Sequence, residues 1–187
     1  MPLHSYFVLV AFTLLFFVFA LQLIRLRNST SAFLGTPTIE KLYFYSGKVA
    51  IFTTWALFIV KAISPRLGYI DVLPSFSWAA VVILYAGVII FSISLFNLGK
   101  ALKVGLPDQD TTLQTQGMYR ISRNPLYIGV HLIAIASCIY FPDLINVSFT
   151  IYGIYIHHKI IREEERFLAE RFGKDWLIYR TKVSRYL

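Results

Sequence analysis

The chain has 187 residues, of which 57% are hydrophobic and 15% are charged, and its formal net charge is +8. Soluble globular domains carry about 45–50% apolar and about 25% charged residues, so this composition excludes an ordinary soluble domain. It predicts one integral membrane domain over residues 1–187, and the positive charge need not indicate nucleic acid because membrane proteins concentrate Lys and Arg in cytoplasmic loops.

Three apolar segments in the first half of the chain predict membrane-spanning helices. They cover residues 5–24, 42–63 and 76–98, and about 20 apolar residues suffice to cross the hydrocarbon core. Lys48 and Lys61 interrupt the second segment. For both we favour snorkelling to the interface, and the alternative is that Lys48 faces an anionic ligand. Residues 1–98 are therefore interpreted as three anchoring spans.

Two shorter apolar runs, residues 126–140 and 144–158, predict a helical hairpin around the turn at 141–143. Pro125 suits the first turn of a helix, where its missing N–H costs nothing. Because about 15 helical residues span only about 22 Å, both arms must continue through their polar ends. This brings Arg123 and Lys159 near one interface.

The predicted fold class is all-α: an integral membrane bundle of about five transmembrane helices, with a C-terminal hairpin and a cytosolic amphipathic tail. The tail is expected to be helical, with Gly173 as a plausible stop. With the N-terminus outside and the C-terminus cytoplasmic, every Lys and Arg except Lys61 and Arg66 falls on the inner side, as the positive-inside rule requires. We take the plasma membrane of a prokaryote as the default location.

Residues 117–129 form the first polar stretch that could carry chemistry. Pro125 leaves the carbonyl of Ile121 without its helical donor and disfavours helical geometry at Asn124. Exposed backbone groups at membrane depth must line a polar cavity or be buried in protein. This stretch is therefore expected to border a site.

The charged tail at residues 159–173 is the second such stretch. Glu163, Glu164 and Glu165 span about 200° of a helix, so at least one of them should face the hairpin. A carboxylate there could bind an ammonium group or pair with Arg123, and the alternative is a solvated acidic turn. His157 and His158 diverge by about 100° and cannot chelate one metal together, so we interpret them as interface residues and predict no metal site.

Three motifs carry a resemblance to a known family. They read Gly-Met-Tyr-Arg-Ile-Ser-Arg-Asn-Pro-Leu-Tyr-Ile-Gly at 117–129, Arg-Glu-Glu-Glu at 162–165 and Phe-Gly-Lys-Asp-Trp-Leu-Ile-Tyr at 172–179. Over about residues 97–187 the chain resembles the integral-membrane methyltransferases, which include isoprenylcysteine carboxyl methyltransferase and the phospholipid N-methyltransferases. Residues 99–187 would then supply a cofactor-binding loop, the hairpin and the cytosolic tail.

The resemblance implies an enzyme that binds S-adenosyl-L-methionine at the cytosolic face and methylates a lipid-like or prenylated acceptor entering from the bilayer. Glu164, nine residues before Gly173, would hold the amino acid end of the cofactor. The residues assigned to catalysis are Arg123, Arg162 and Glu164. The other residues that would contact the cofactor are Leu113, Gln114, Tyr119, Asn124, Pro125, Leu126 and Tyr127.

Two departures leave the acceptor open. The prenylcysteine enzymes usually have His at the position of Asn124 and Arg at the position of Ile160. The acceptor group could therefore be a carboxylate or an amine, and membrane lipids are the only other partners predicted. Two further functions stay open: an NADPH-dependent membrane reductase of the sterol reductase type, and a non-catalytic membrane protein that keeps the fold.

Overall fold

The computed structural model describes residues 1–26, 36–68, 70, 72–99 and 112–187. Within these ranges the chain forms five α-helices and no β-strand, which confirms the all-α prediction. The predicted cofactor-binding loop lies partly outside the described residues, which resume at residue 112. The helices are α1 (Leu3–Leu26), α2 (Lys41–Ile63), α3 (Pro74–Leu98), α4 (Pro125–Tyr140) and α5 (Leu144–Lys182), and a 3₁₀ turn (Gly117–Arg120) precedes α4.

Helices α1, α2 and α3 are each long and apolar enough to cross a membrane. Their inner faces join α4 in one core, which includes Phe12, Phe58, Leu84 and Ile133. Their outer faces carry exposed large apolar side chains such as Phe17, Phe52 and Val82. Helices that are apolar all round are typical of membrane spans, so the three segments predicted from the sequence form candidate membrane-spanning helices.

Helix α4 is fixed by a close approach to α3 at two glycines. A Cβ atom on Gly129 would lie 2.6 Å from the backbone nitrogen of Phe91, and a Cβ atom on Gly87 would lie 2.9 Å from the carbonyl oxygen of Gly129. Small residues let helix backbones approach in this way in membrane bundles. The crossing sets the position of the Asn-Pro corner at the start of α4.

Helix α5 packs antiparallel against α2 through a second pair of glycines. Gly47 lies against Ile156, and Gly153 lies against Ile51. One turn further toward the start of α2, the ring of Phe44 packs with Ile156 and Ile160 of α5. This register places the first two turns of α2 beside the part of α5 that leads to the glutamates.

The second arm of the hairpin leads into the tail through a helix that is interrupted at Gly173. Asp143 caps α5 by accepting a hydrogen bond from the Ile145 N–H at 2.9 Å, and the helix continues to Lys182 with one interruption, at Gly173 (φ 47°, ψ −113°). This confirms the helix stop that the sequence predicts at this glycine, and a second helix follows the kink. Beyond Lys182 the chain turns back, and the Arg123 N–H donates to the carbonyl of Ser184 at 2.9 Å.

Candidate functional site

The corner before α4 is held by side chains that bond the backbone. The Asn97 side chain accepts from the Met118 N–H at 2.8 Å, and the Gln114 amide donates to the Asn97 carbonyl at 2.7 Å. Asn124 is the N-cap of α4, and its backbone (φ −131°, ψ 49°) lies outside the helical region, which a following proline disfavours. Its N–H donates to the Ser122 hydroxyl at 3.0 Å. The corner is therefore a rigid, hydrogen-bonded entry to α4.

Glu165 lies at the centre of a buried cluster of charges. Arg123 donates to both of its carboxylate oxygens, at 3.1 and 3.2 Å. Arg185 bonds Oε2 at 2.9 and 3.1 Å, and the Asn124 amide bonds Oε1 at 3.0 Å. Burial alone would raise the pKa of Glu165, but the hydrogen bonds and charges of Arg185 and Arg123 lower it below its ordinary value. The cluster ties α4, α5 and the C-terminal residues together.

Arg123 and Arg162, both assigned to catalysis from the sequence, lie on this side of the site. Besides Glu165, Arg123 donates to the carbonyl oxygens of Arg180 and Val183, at 3.2 and 2.9 Å. Through these hydrogen bonds the Arg123 guanidinium fixes the C-terminal tail to the start of α4. Arg162 is exposed and borders a surface cavity of about 370 Å³, whose lining includes Glu165 and not Glu164.

Glu164 points to the other side of α5, toward the start of α4. The Tyr127 hydroxyl donates to its carboxylate at 3.0 Å. Burial raises the pKa of Glu164 to about 7, although the Tyr127 hydrogen bond and the charge of Lys48 act in the opposite direction. We call this end of the hairpin, where α4 begins and α5 passes Glu164, the hairpin mouth.

The charge of Glu164 also acts on two more groups, Tyr119 and Lys48. Tyr119 is buried, and its carbonyl accepts a hydrogen bond from the Tyr179 hydroxyl at 2.7 Å. The pKa of the Tyr119 hydroxyl is raised, mainly by burial and in addition by the charge of Glu164. Lys48 is half-buried, with its ammonium 4.4 Å from the centre of the Phe44 ring. The charge of Lys48 acts on Glu164, and for this residue both snorkelling and the contact with an anionic ligand stay predictions.

Among the residues predicted to bind the cofactor, Tyr119, Tyr127 and Glu164 thus lie together. Asn124 and Pro125 are buried beside them, but the Asn124 amide is directed at Glu165. The side chain of Leu126 packs against the main core. Leu113 and Gln114 are half-buried in the segment before the 3₁₀ turn.

The sequence did not indicate the role of two histidines. His157 is buried inside the protein, and its interpretation as a residue at the membrane interface stays a prediction. It stacks on His131 with ring centres 5.5 Å apart, and its centre lies 5.2 Å from that of Tyr127. The available signal was helical spacing, since residues 157 and 164 share a face of α5 and residues 127 and 131 share a face of α4. Within the described ranges no group of three or more His, Cys, Asp or Glu residues could hold a metal ion.

Comparison with known protein families identifies the part of the chain that builds this site. A model of the phospholipid methyltransferase family matches residues 76–175, more than half of the 187 residues. Among curated proteins, none matches the chain significantly. The matched segment contains most of α3, the 3₁₀ turn, α4 and most of α5, and with them Tyr119, Tyr127 and Glu164. The chain belongs to the phospholipid methyltransferase family.

Proposed function

We propose that this protein transfers a methyl group from S-adenosyl-L-methionine to a lipophilic acceptor embedded in the membrane. The observation that carries the proposal is the Tyr127–Glu164 hydrogen bond at the hairpin mouth, inside the segment that matches a methyltransferase family. Membership of that family supports methyl transfer as the reaction. The identity of the methyl donor and the class of the acceptor are our own proposals beyond the family match.

The residues at the hairpin mouth fit this donor. S-adenosylmethionine supplies an electrophilic methyl group on a positively charged sulfur, and its amino acid end carries an ammonium and a carboxylate. The carboxylate of Glu164 can pair with a cationic group, and the rings of Tyr119 and Tyr127 present faces that attract cations. The ionised form of Glu164 is favoured by such a cation, which offsets the burial that raises its pKa.

The chain contributes positioning and exclusion of water. Methyl transfer needs an acceptor held in line with the methyl group at near-attack distance, in a site from which water is excluded. The Glu165 cluster fixes the Asn-Pro corner relative to α5, and so it acts as positioning machinery for the groups at the hairpin mouth. A carboxylate acceptor needs no base, whereas an amine acceptor must lose a proton, and we assign no residue to that step.

The membrane arrangement supports an acceptor that arrives from the bilayer. Three long apolar helices anchor the protein, and with α4 and the apolar start of α5 as shorter spans the C-terminus would be cytoplasmic under the positive-inside rule. The hairpin mouth would then lie at the cytoplasmic interface. There a water-soluble donor and the headgroup of a lipid or prenylated acceptor can meet.

The test is transfer of label from S-adenosylmethionine with a tritiated methyl group. Purified protein is reconstituted into vesicles of lipid extracted from the source membrane, and label is counted in the organic phase. We expect incorporation that Glu164→Gln reduces at least tenfold and that the control Glu170→Gln leaves unchanged. After alkaline hydrolysis, volatile label indicates a methyl ester and non-volatile label indicates an N-methyl product.

The same vesicles also test the alternative function. Oxidation of NADPH with no incorporation of label would replace the proposal with a membrane reductase. Incorporation of label without NADPH, in contrast, supports the methyltransferase.

A further inference from the structure

We propose that Lys48 is a second anchor of the cofactor site, where its ammonium binds the carboxylate of the amino acid end of S-adenosylmethionine while Glu164 binds the ammonium of the same group. This inference rests on the proposed function and adds a specific residue to it. Lys48 lies in α2, outside the segment that matches the family model. The N-terminal half of the chain would therefore supply a ligand contact as well as anchoring the protein.

The packing of α2 against α5 brings Lys48 to the site. Gly47 fits against Ile156 with no room for a Cβ atom, so Lys48 begins beside the same part of α5. Side chains on a helix lean toward its N-terminus, and the Lys48 ammonium accordingly lies 4.4 Å from the Phe44 ring centre, one turn earlier. Phe44 forms a buried cluster with Ile156 and Ile160, and Tyr127 packs against this cluster. The ammonium is thus carried toward the hairpin mouth.

Lys48 and Glu164 interact through their charges, but their side chains form no direct bond among the described residues. The Lys48 charge is one of the effects that lower the pKa of Glu164, yet among the described residues no hydrogen bond or ion pair links the two side chains. A partly buried ammonium without a carboxylate partner is unfavourable, because its lost hydration is not replaced. An α-amino acid group bears one cation and one anion a few ångströms apart, and it would complete both pairs at once.

The Lys48 ammonium can form a strong hydrogen bond with a ligand carboxylate. Charge-assisted hydrogen bonds in partly buried sites are about twice as strong as neutral ones. The cation–π contact with Phe44 holds the ammonium in place without neutralising it. Glu165, the neighbouring carboxylate, is already bound by Arg123 and Arg185 and does not compete for Lys48.

Calorimetric titration with two ligands tests the inference. The ligands are S-adenosylhomocysteine and its decarboxylated analogue, which keeps the ammonium but lacks the carboxylate. The proteins are the wild type, Lys48→Met, Lys48→Arg and the control Lys41→Met, which alters an exposed lysine at the start of the same helix. All are full-length chains in detergent, checked for folding by thermal unfolding.

We expect Lys48→Met to weaken S-adenosylhomocysteine binding at least tenfold, or about 1.4 kcal/mol, and to change binding of the decarboxylated analogue much less. Lys48→Arg should restore part of the loss, and Lys41→Met should have no effect. Equal weakening of both ligands by Lys48→Met would overturn the inference, because Lys48 would then act through the fold.

Failure of this inference can be distinguished from failure of the proposed function. If Lys48→Met binds S-adenosylhomocysteine normally while Glu164→Gln does not, the inference about Lys48 is wrong and the proposed cofactor stands. If the folded wild type binds neither ligand, both are wrong.

Discussion

The hydroxyl of Tyr127 donates a 3.0 Å hydrogen bond to Glu164, and this bond connects the first turn of α4 to α5 across the hairpin mouth. The next residue, Glu165, faces a different environment in which Arg123 and Arg185 satisfy its charge. Consequently the pKa of Glu164 is raised to about 7 while that of Glu165 is lowered. Two adjacent carboxylates thus have different surroundings: Glu165 holds the helices together, and Glu164 is the carboxylate that we propose binds a cationic ligand.

The raised pKa of Glu164 predicts that ligand binding depends on pH. A carboxyl group with a pKa of about 7 is mostly protonated and neutral at pH 6, and it is mostly ionised at pH 8. Since only the ionised form pairs with an ammonium, the affinity for S-adenosylhomocysteine should rise about tenfold from pH 6 to pH 8. Calorimetry in buffers of different ionisation enthalpy should also detect release of a proton near pH 7. The Glu164→Gln variant should show neither effect, and a flat pH profile in the wild type would refute this prediction.

Removal of the Glu165 carboxylate should destabilise the protein strongly. In the Arg123–Glu165 pair the two side chains are only 7% and 8% exposed, and breaking a buried ion pair leaves an uncompensated charge. We expect Glu165→Ala to cost about 3–5 kcal/mol and to lower the midpoint of thermal unfolding in detergent. The control is Glu170→Ala, whose partner Arg166 and own side chain are 72% and 69% exposed; exposed pairs contribute about 0–1 kcal/mol. Similar midpoints for the two variants would contradict the assigned role of Glu165.

The last five residues should be needed for ligand binding although none of them is proposed to touch the ligand. The carbonyls of residues 183–185 accept hydrogen bonds from the Arg123 side chain, the Arg123 N–H and the Ser122 hydroxyl. Truncation after Lys182 removes these acceptors and also Arg185. We expect at least tenfold weaker binding of S-adenosylhomocysteine and a lower unfolding midpoint, whereas deletion of Leu187 alone, which is 85% exposed, should change neither. Unaltered binding by the truncated protein would show that the tail does not position the corner.

The α3–α4 crossing should not tolerate a side chain at Gly129. A Cβ atom there would lie 2.6 Å from the Phe91 backbone nitrogen, so backbone atoms would have to move. We expect Gly129→Val to cost about 1–3 kcal/mol or more through overpacking, measured as a lower unfolding midpoint. The control Ile135→Val changes an exposed position of the same helix. A Gly129→Val protein as stable as this control would show that the helices are not held at that distance.

The sequence predicts the hairpin well because local signals mark both of its ends. Pro125 begins α4, the turn at 141–143 ends it, and Asp143 caps α5. The pairing of Glu164 with the hairpin follows from the spacing of the family motifs. In contrast, the sequence does not show which glutamate pairs with Arg123. That choice depends on the rotation of α5 about its axis, which three consecutive glutamates do not determine.

Other parts of the site depend on contacts between distant segments. The direction of Lys48 follows from the contact between Gly47 and Ile156, two residues whose proximity no periodic pattern reveals. His157 is buried for the same reason, because it faces α4. The sequence also does not predict that residues 183–187 return to the Asn-Pro corner, because a short irregular segment has no periodicity to interpret.

The measurement that tests the central claim most directly is calorimetric titration of the purified protein with S-adenosylhomocysteine, with the wild type beside Glu164→Gln. Glutamine keeps the shape of the side chain and can still accept the Tyr127 hydrogen bond, but it lacks the charge. We predict binding in the micromolar range by the wild type, weakened at least tenfold, or about 1.4 kcal/mol, in the variant. Absence of binding by folded wild-type protein, or equal affinity in both proteins, would contradict the account.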